Sequence, residues 1–157
     1  MNSAKNILSL VPVYKRMIRS ERAALEALYD DTYGMTIKCN YDEDRLQFTP
    51  PAPGDALISK ITRLEERQAK AEEKIGEYVA IINFIEQMCN SSLTATELLV
   101  IRTKFFETTR PRSRQEVAAS LSYSESWVMQ QLVGAYSKLD NKLVELEQNH
   151  ELPAVLS

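Results

Sequence analysis

The sequence predicts an all-α protein: a long antiparallel helical arm of coiled-coil type, followed by a group of shorter helices. Two observations predict it. Apolar residues recur at alternating spacings of four and three along both long segments of residues 1–92, and the last third carries helix-capping signals too closely spaced for long helices. Glycine is also scarce, at 4 in 157 residues, and the long tracts rich in Ala, Glu, Lys, Leu and Arg favour helix over strand.

The first helix is written by Ile7, Val11, Tyr14, Ile18, Leu25 and Leu28, with Glu21 interrupting the series. Pro12 lies off this stripe. It is expected to open the helix at its first turn or to kink it, because it has no N–H to give the carbonyl four residues back. From about Asp30 to Gly54 the periodicity collapses. Gly34, the acidic run Asp42-Glu43-Asp44, and Pro50, Pro51 and Pro53 mark a connector, in which the β-prone pieces Met35–Cys39 and Leu46–Thr49 suggest a small hairpin.

Asp55 is the expected N-cap of a second helix that runs to about Cys89. Its seam reads Leu57, Ile61, Leu64, Gln68, Ala71, Ile75, Tyr78, Ile82, Ile85, Cys89, a heptad pattern about 50 Å long at the helical rise. Gln68 and Ala71 weaken its centre. Past Ile75 the helix becomes apolar on more faces (Val79, Ala80, Ile81, Phe84), which predicts deeper burial there. One narrow seam cannot stand alone in water. The first helix, folded back antiparallel, supplies part of the cover and a second copy of the chain is expected to supply the rest. Leu57, Ile61, Leu64, Ile75, Tyr78, Ile82 and Ile85 are therefore the candidate oligomerisation residues, with a dimer favoured. Residues 1–92 form the arm in this scheme, 93–147 a second domain and 148–157 a tail.

The segment from Leu93 is the most informative. Thr94-Ala95-Thr96-Glu97 is a capping box, opening a helix that buries Leu98, Ile101, Phe105 and Leu99. A break follows at Thr108–Arg112. Ser113-Arg114-Gln115-Glu116 repeats the capping pattern and starts a short helix with Val117, Ala118 and Leu121 inward. Ser122-Tyr123-Ser124 makes a tight turn, and Ser124 caps a last helix burying Val128, Leu132, Ala135 or Tyr136, and Leu139. A short helix, a three-residue turn and a longer helix are the parts of a helix-turn-helix, with the small Ala118 where the two helices cross.

From Leu93 to Leu143 the string LTATELLVIRTKFFE…SRQEVAASLSYSESWVMQQLVGAYSKLDNKL resembles the C-terminal promoter-reading domain of bacterial sigma factors. The resemblance is carried by the LT…E opening, by Glu116, Val117, Ala118, Leu121 and Ser124, and by Ala135, Lys138 and Leu139. The whole layout is similar to the RinA/ArpU group of phage late-operon activators. That resemblance implies a sigma-like helix-turn-helix, binding to double-stranded DNA, a possible contact with RNA polymerase, and work in the cytoplasm of a bacterial host. It covers most of the chain in layout and the last third in motif. Three departures stand out: Ser122 replaces the usual turn glycine, the Thr108–Arg112 stretch is longer, and the last helix from Glu125 to Ser137 has no Lys or Arg.

The outward candidates on that helix are Glu125, Ser126, Met129, Gln130 and Val133, flanked by Trp127 and Gln131. Glutamine can pair with adenine in the major groove, and Met or Val can touch a thymine methyl. Phosphate contacts must then come from neighbouring cations: Arg110, Arg112 and Arg114 before the helix, Lys138 and Lys142 later in it. The charge balance makes this clustering necessary. The chain is −3 overall, and between Leu93 and Glu145 seven basic residues face six acidic ones. The start of the helix after Ser113 adds backbone donors to the arginines.

Other classes find no residues to work with. The one histidine, His150, sits in the tail, and there is no Gly-rich phosphate loop or Cys/His metal spacing, so no catalytic residue, metal or cofactor is expected. Cys39 and Cys89 read as free thiols in a reducing cytosol. No apolar run nears the ~20 residues of a membrane span, and Ile7–Tyr14 is too short and too broken to be a signal segment. A small terminase-like DNA-packaging factor, or a protein-interaction module docking RNA polymerase, are the alternative readings.

Overall fold

The computed structural model describes the backbone of residues 2–43 and 53–157, and the side chains of 2–33 and 56–157. Among the described residues there are helices and no strand. Five α-helices follow one another: α1 (Ala4–Glu43), α2 (Pro53–Ser92), α3 (Ala95–Ile101), α4 (Arg114–Leu121) and α5 (Glu125–Gln148). A π-helical turn, Arg102–Phe106, extends α3, and a 3-10 turn, Ala154–Leu156, closes the chain. Among the described residues, no helix is long and apolar enough to cross a membrane.

Two expectations about the connector are corrected. Met35–Cys39 are helical, because α1 continues to Glu43 as a 40-residue helix. Gly34 costs such a helix about 1 kcal/mol and does not end it. Pro12 likewise lies inside α1 and is buried. The second helix starts at Pro53 rather than after Asp55. A proline at the first helical position loses nothing, since its missing N–H would have had no partner there. The segment Leu46–Thr49 and the side chains of Cys39 and Asp55 lie outside the described residues.

The chain divides into two compact units. The first comprises Met1–Arg16 and Tyr78–Ser157 and holds one core. Into it α1 sends Ala4, Ile7, Leu8 and Val11, α2 sends Ile85, Met88 and Cys89, and Phe105 of the π turn is 1% exposed. α4 contributes Val117 and Ala118, and α5 buries Val128, Leu132, Ala135, Leu139, Leu143 and Leu146 along one stripe. Each fully buried aliphatic of this set is worth about 1.5–3 kcal/mol of transfer free energy. The core reaches past both boundaries drawn on sequence. The start of α1 joins it, and Leu156 from the segment read as a tail is fully buried. Val100 is buried while Leu99, expected inward, is 43% exposed.

The second unit, Met17–Glu77, is built from parts of α1 and α2 lying antiparallel. Glu21 reaches Lys74 (3.7 Å), while Leu25 and Tyr29 share a groove with Leu64 and Gln68. The glutamate that broke the apolar stripe is thus an ion-pair residue. Ile18, Leu64 and Ala71 are buried here, and Gln68 turns outward to bond Glu72 (3.2 Å). Leu57, Ile61 and Ile75 are half-buried. In the first unit, Tyr78 stacks on Tyr14 with ring centroids 5.4 Å apart. Ile82 is half-buried, and Ile85 is fully covered by its own chain. The deeper burial expected past Ile75 begins at Ile81; Val79 and Ala80 are exposed.

Candidate nucleic-acid interface

The short helices are set by their caps. Thr94 caps α3 through a complete box: its hydroxyl accepts from the Glu97 N–H, and Glu97 Oε1 accepts from the Thr94 N–H (3.2 Å). Ser113 caps α4 by accepting from the Glu116 N–H (3.2 Å), but the expected return bond is replaced, since the Glu116 carboxylate lies 3.7 Å from Arg110 Nη2. Ser124 caps α5 by accepting from the Trp127 N–H (3.2 Å). Between α4 and α5, Ser122 takes a left-handed conformation (φ 59°, ψ 36°), one that a glycine adopts freely.

Glu97 is the polar centre of the α3–α5 contact. It is 5% exposed, and its Oε1 receives the Thr94 hydroxyl (2.8 Å) and Lys138 Nζ (2.5 Å) in addition to the backbone bond. Burial alone opposes its charge. The hydrogen bonds from Lys138 and Thr94 outweigh that and hold the carboxyl below its ordinary range. Next to it Thr96 donates to Gln131 Oε1 (2.9 Å). These contacts tie Lys138, whose side chain stays 46% exposed, and the half-buried Gln131 to α3.

The face that α5 leaves open begins at its first turn. Glu125, Ser126, Met129, Gln130 and Val133 are all exposed, Met129 by 44% and Val133 by 57%. Trp127 is half-buried against the core and stacks on Tyr123 with ring centroids 4.0 Å apart, so it acts as packing. At the edge of the open face Arg114 Nη1 contacts Met129 Sδ (2.9 Å). Arg110 and Arg112 have acidic neighbours: Glu116 at 3.7 Å, and Glu107 at 3.8 Å from Arg112. Lys142 pairs with Glu145 (3.4 Å).

Lys104 was not among the sequence-derived candidates, yet it is bonded into the arginine loop. Its carbonyl accepts from the Arg112 N–H (3.0 Å), and its ammonium donates to the Arg112 carbonyl. Burial, then the charges of Lys5 and Arg114, push its ammonium below the usual lysine range, with Glu116 acting the other way. Nothing local in the sequence signals this grouping, because Lys5 comes from the other end of the chain. The charge balance also divides unevenly. The unit holding α3–α5 carries ten basic and nine acidic side chains, so the chain's net negative charge resides in the other unit.

Cys89 is 1% exposed, and burial pushes its thiol up to about 12. Such a thiol is inert and belongs to the core. Comparison with protein-family models, with characterised proteins and with solved structures returned no match.

Proposed function

We propose that this chain is a DNA-binding transcriptional regulator of the phage or prophage late-operon type, using a sigma-like helix-turn-helix made of α4, the Ser122–Ser124 turn and α5. The observation that carries the reading is the open face of α5. Its first turns leave Glu125, Ser126, Met129, Gln130 and Val133 to solvent, while the opposite side of the same helix is packed into the core. Gln130 is the base reader in this reading, Met129 and Val133 touch thymine methyls, and Arg110, Arg112 and Arg114 hold the backbone. The helical arm makes the protein an oligomer through the seam of α2, and the regulator works in the cytoplasm of its host.

One observation favours a second reading. Tyr123, Met129 and Val133 are each more than 40% exposed, and apolar side chains of that size also suit a protein partner such as RNA polymerase.

The test starts from the wild-type chain and a pool of random duplexes, from which a preferred site is selected. Gln130→Ala is then expected to weaken binding to that site by about 1–3 kcal/mol while leaving binding to random duplex nearly unchanged. Equal losses on both would remove Gln130 as a reader. Failure of the wild type to bind any duplex would leave the docking reading.

A further inference from the structure

We propose that the first turn of α1 belongs to the DNA-backbone contact surface, with Lys5 and Lys104 joining Arg110, Arg112 and Arg114 to grip phosphates along a path that runs off the recognition helix. This rests on the DNA-binding reading and identifies the cations that make it workable for a domain with so little net charge.

The placement of Lys5 follows from how α1 begins. The Ala4 N–H donates to Asp140 Oδ1 of α5 (2.7 Å), so a side chain 136 residues away caps the helix. Ala4, Ile7 and Leu8 are buried in the same core as Phe105 and Val117. Further along, the Lys15 ammonium lies over the Phe106 ring, 5.7 Å from its centre. The helix start is thereby fixed against the π turn and α5, and Lys5 and Asn6 are left exposed between the buried Ala4 and Ile7.

Three kinds of observation point to a polyanion as the occupant. The Arg112 N–H donates to the Lys104 carbonyl and the Lys104 ammonium donates to the Arg112 carbonyl, and Lys5 and Arg114 both bear on that ammonium as like charges. Cations gathered from three separate segments suit a ligand with several negative charges. The acidic neighbours of Arg110 and Arg112 stand off at 3.7 and 3.8 Å, and partly exposed pairs of that kind exchange readily for phosphate. Among the described residues, no exposed large apolar side chain belongs to residues 4–8, 102–107 or 110–114, so the patch lacks the apolar centre a protein interface uses. The contact of Arg114 with Met129 places one end of the cation group at the edge of the base-reading face.

The experiment measures affinity for a random duplex against salt concentration, for the wild type and single variants of the full chain. Lys5→Gln is expected to lower the slope of log affinity against log salt by about 0.9, the value of one lost phosphate contact. Lys5→Glu is expected to weaken binding about three- to tenfold at moderate salt. An acid in the first turn suits the helix dipole, so α1 is retained in that variant. Arg63→Glu makes the same change of net charge on the exposed face of the other unit and is expected to have little effect. If Lys5→Glu matches Arg63→Glu while replacing the three arginines abolishes binding, the inference is overturned and the DNA-binding reading stands. If the wild type binds no duplex, both fall.

Discussion

Ser122 and His150 occupy left-handed backbone conformations, with φ of 59° and 58°, and neither is glycine. A side chain there costs roughly 1–2 kcal/mol. The chain tolerates the cost because each residue ends a helix correctly. At Ser122 the Tyr123 N–H reaches back to the Ala118 carbonyl (3.1 Å) and turns the chain from α4 into α5. Past α5 the His150 N–H bonds the Glu147 carbonyl (3.1 Å) and the Glu151 N–H bonds the Leu146 carbonyl (2.9 Å), a Schellman ending. That ending directs the following residues back, and Leu156 returns to the core. Glycine at either position relieves the strain but gives the unfolded chain more freedom, which offsets about 0.4–1 kcal/mol. Ser122→Gly is therefore expected to stabilise the fold by up to ~1 kcal/mol, read as a higher urea midpoint at unchanged slope. A lower midpoint would mean that the serine side chain contributes something its backbone angle does not explain.

At the scale of elements, α5 contains a glycine where helix propensity argues against one. A Cβ on Gly134 would sit 3.0 Å from Glu97 Oε2. The carboxylate cannot easily move, since its other oxygen is held by Thr94 and Lys138. Gly134→Ala is expected to lower stability in the wild type, despite the ~1 kcal/mol that alanine gains in a helix. In a Glu97→Ala background the same change is expected to stabilise. Thermal melts of the four proteins check the change of sign, and loss of stability in both backgrounds would mean that the carboxylate is not the obstacle. This pair also marks the limit of what the sequence discloses. The caps at Thr94, Ser113 and Ser124, and the inward stripe of α5, were legible because capping and amphipathic spacing are local. The partnership of Glu97 with Lys138, 41 residues on, was not, and neither was the capping of α1 by Asp140. Both depend on how helices pack, and each residue alone reads as surface charge. The extent of α1 was misjudged for the opposite reason. Gly34 and the β-branched residues after it are weak local signals against a helix, and the structure continues through them. The open face of α5 and the loop arginines were legible as candidates. Lys5 and Lys104 were not, because a patch made of three segments exists only once the chain is folded.

For the whole molecule, the question raised by the two long helices is what covers the seam. Among the described residues of the Met17–Glu77 unit, the buried apolar side chains are Ile18, Leu64 and Ala71, and Thr32 is the buried polar one. Meanwhile Tyr29 and Ile58 are 55% and 62% exposed, and Leu57, Ile61 and Ile75 are only half-covered. Self-association is the direct way for this unit to bury more, and a dimer adding a second pair of helices is the expected state. Light scattering of the wild type at tens of micromolar is expected to give twice the 17.9 kDa of one chain. Ile61→Asp with Ile75→Asp would place unpaired carboxylates in the new contact, costing several kcal/mol and returning the protein to a monomer. The same variant should leave the separate core around Phe105 folded, as shown by its retained near-ultraviolet signal from Trp127. A wild type that scatters as one chain at that concentration would sink the dimer and leave the half-covered seam as the resting state of a monomer.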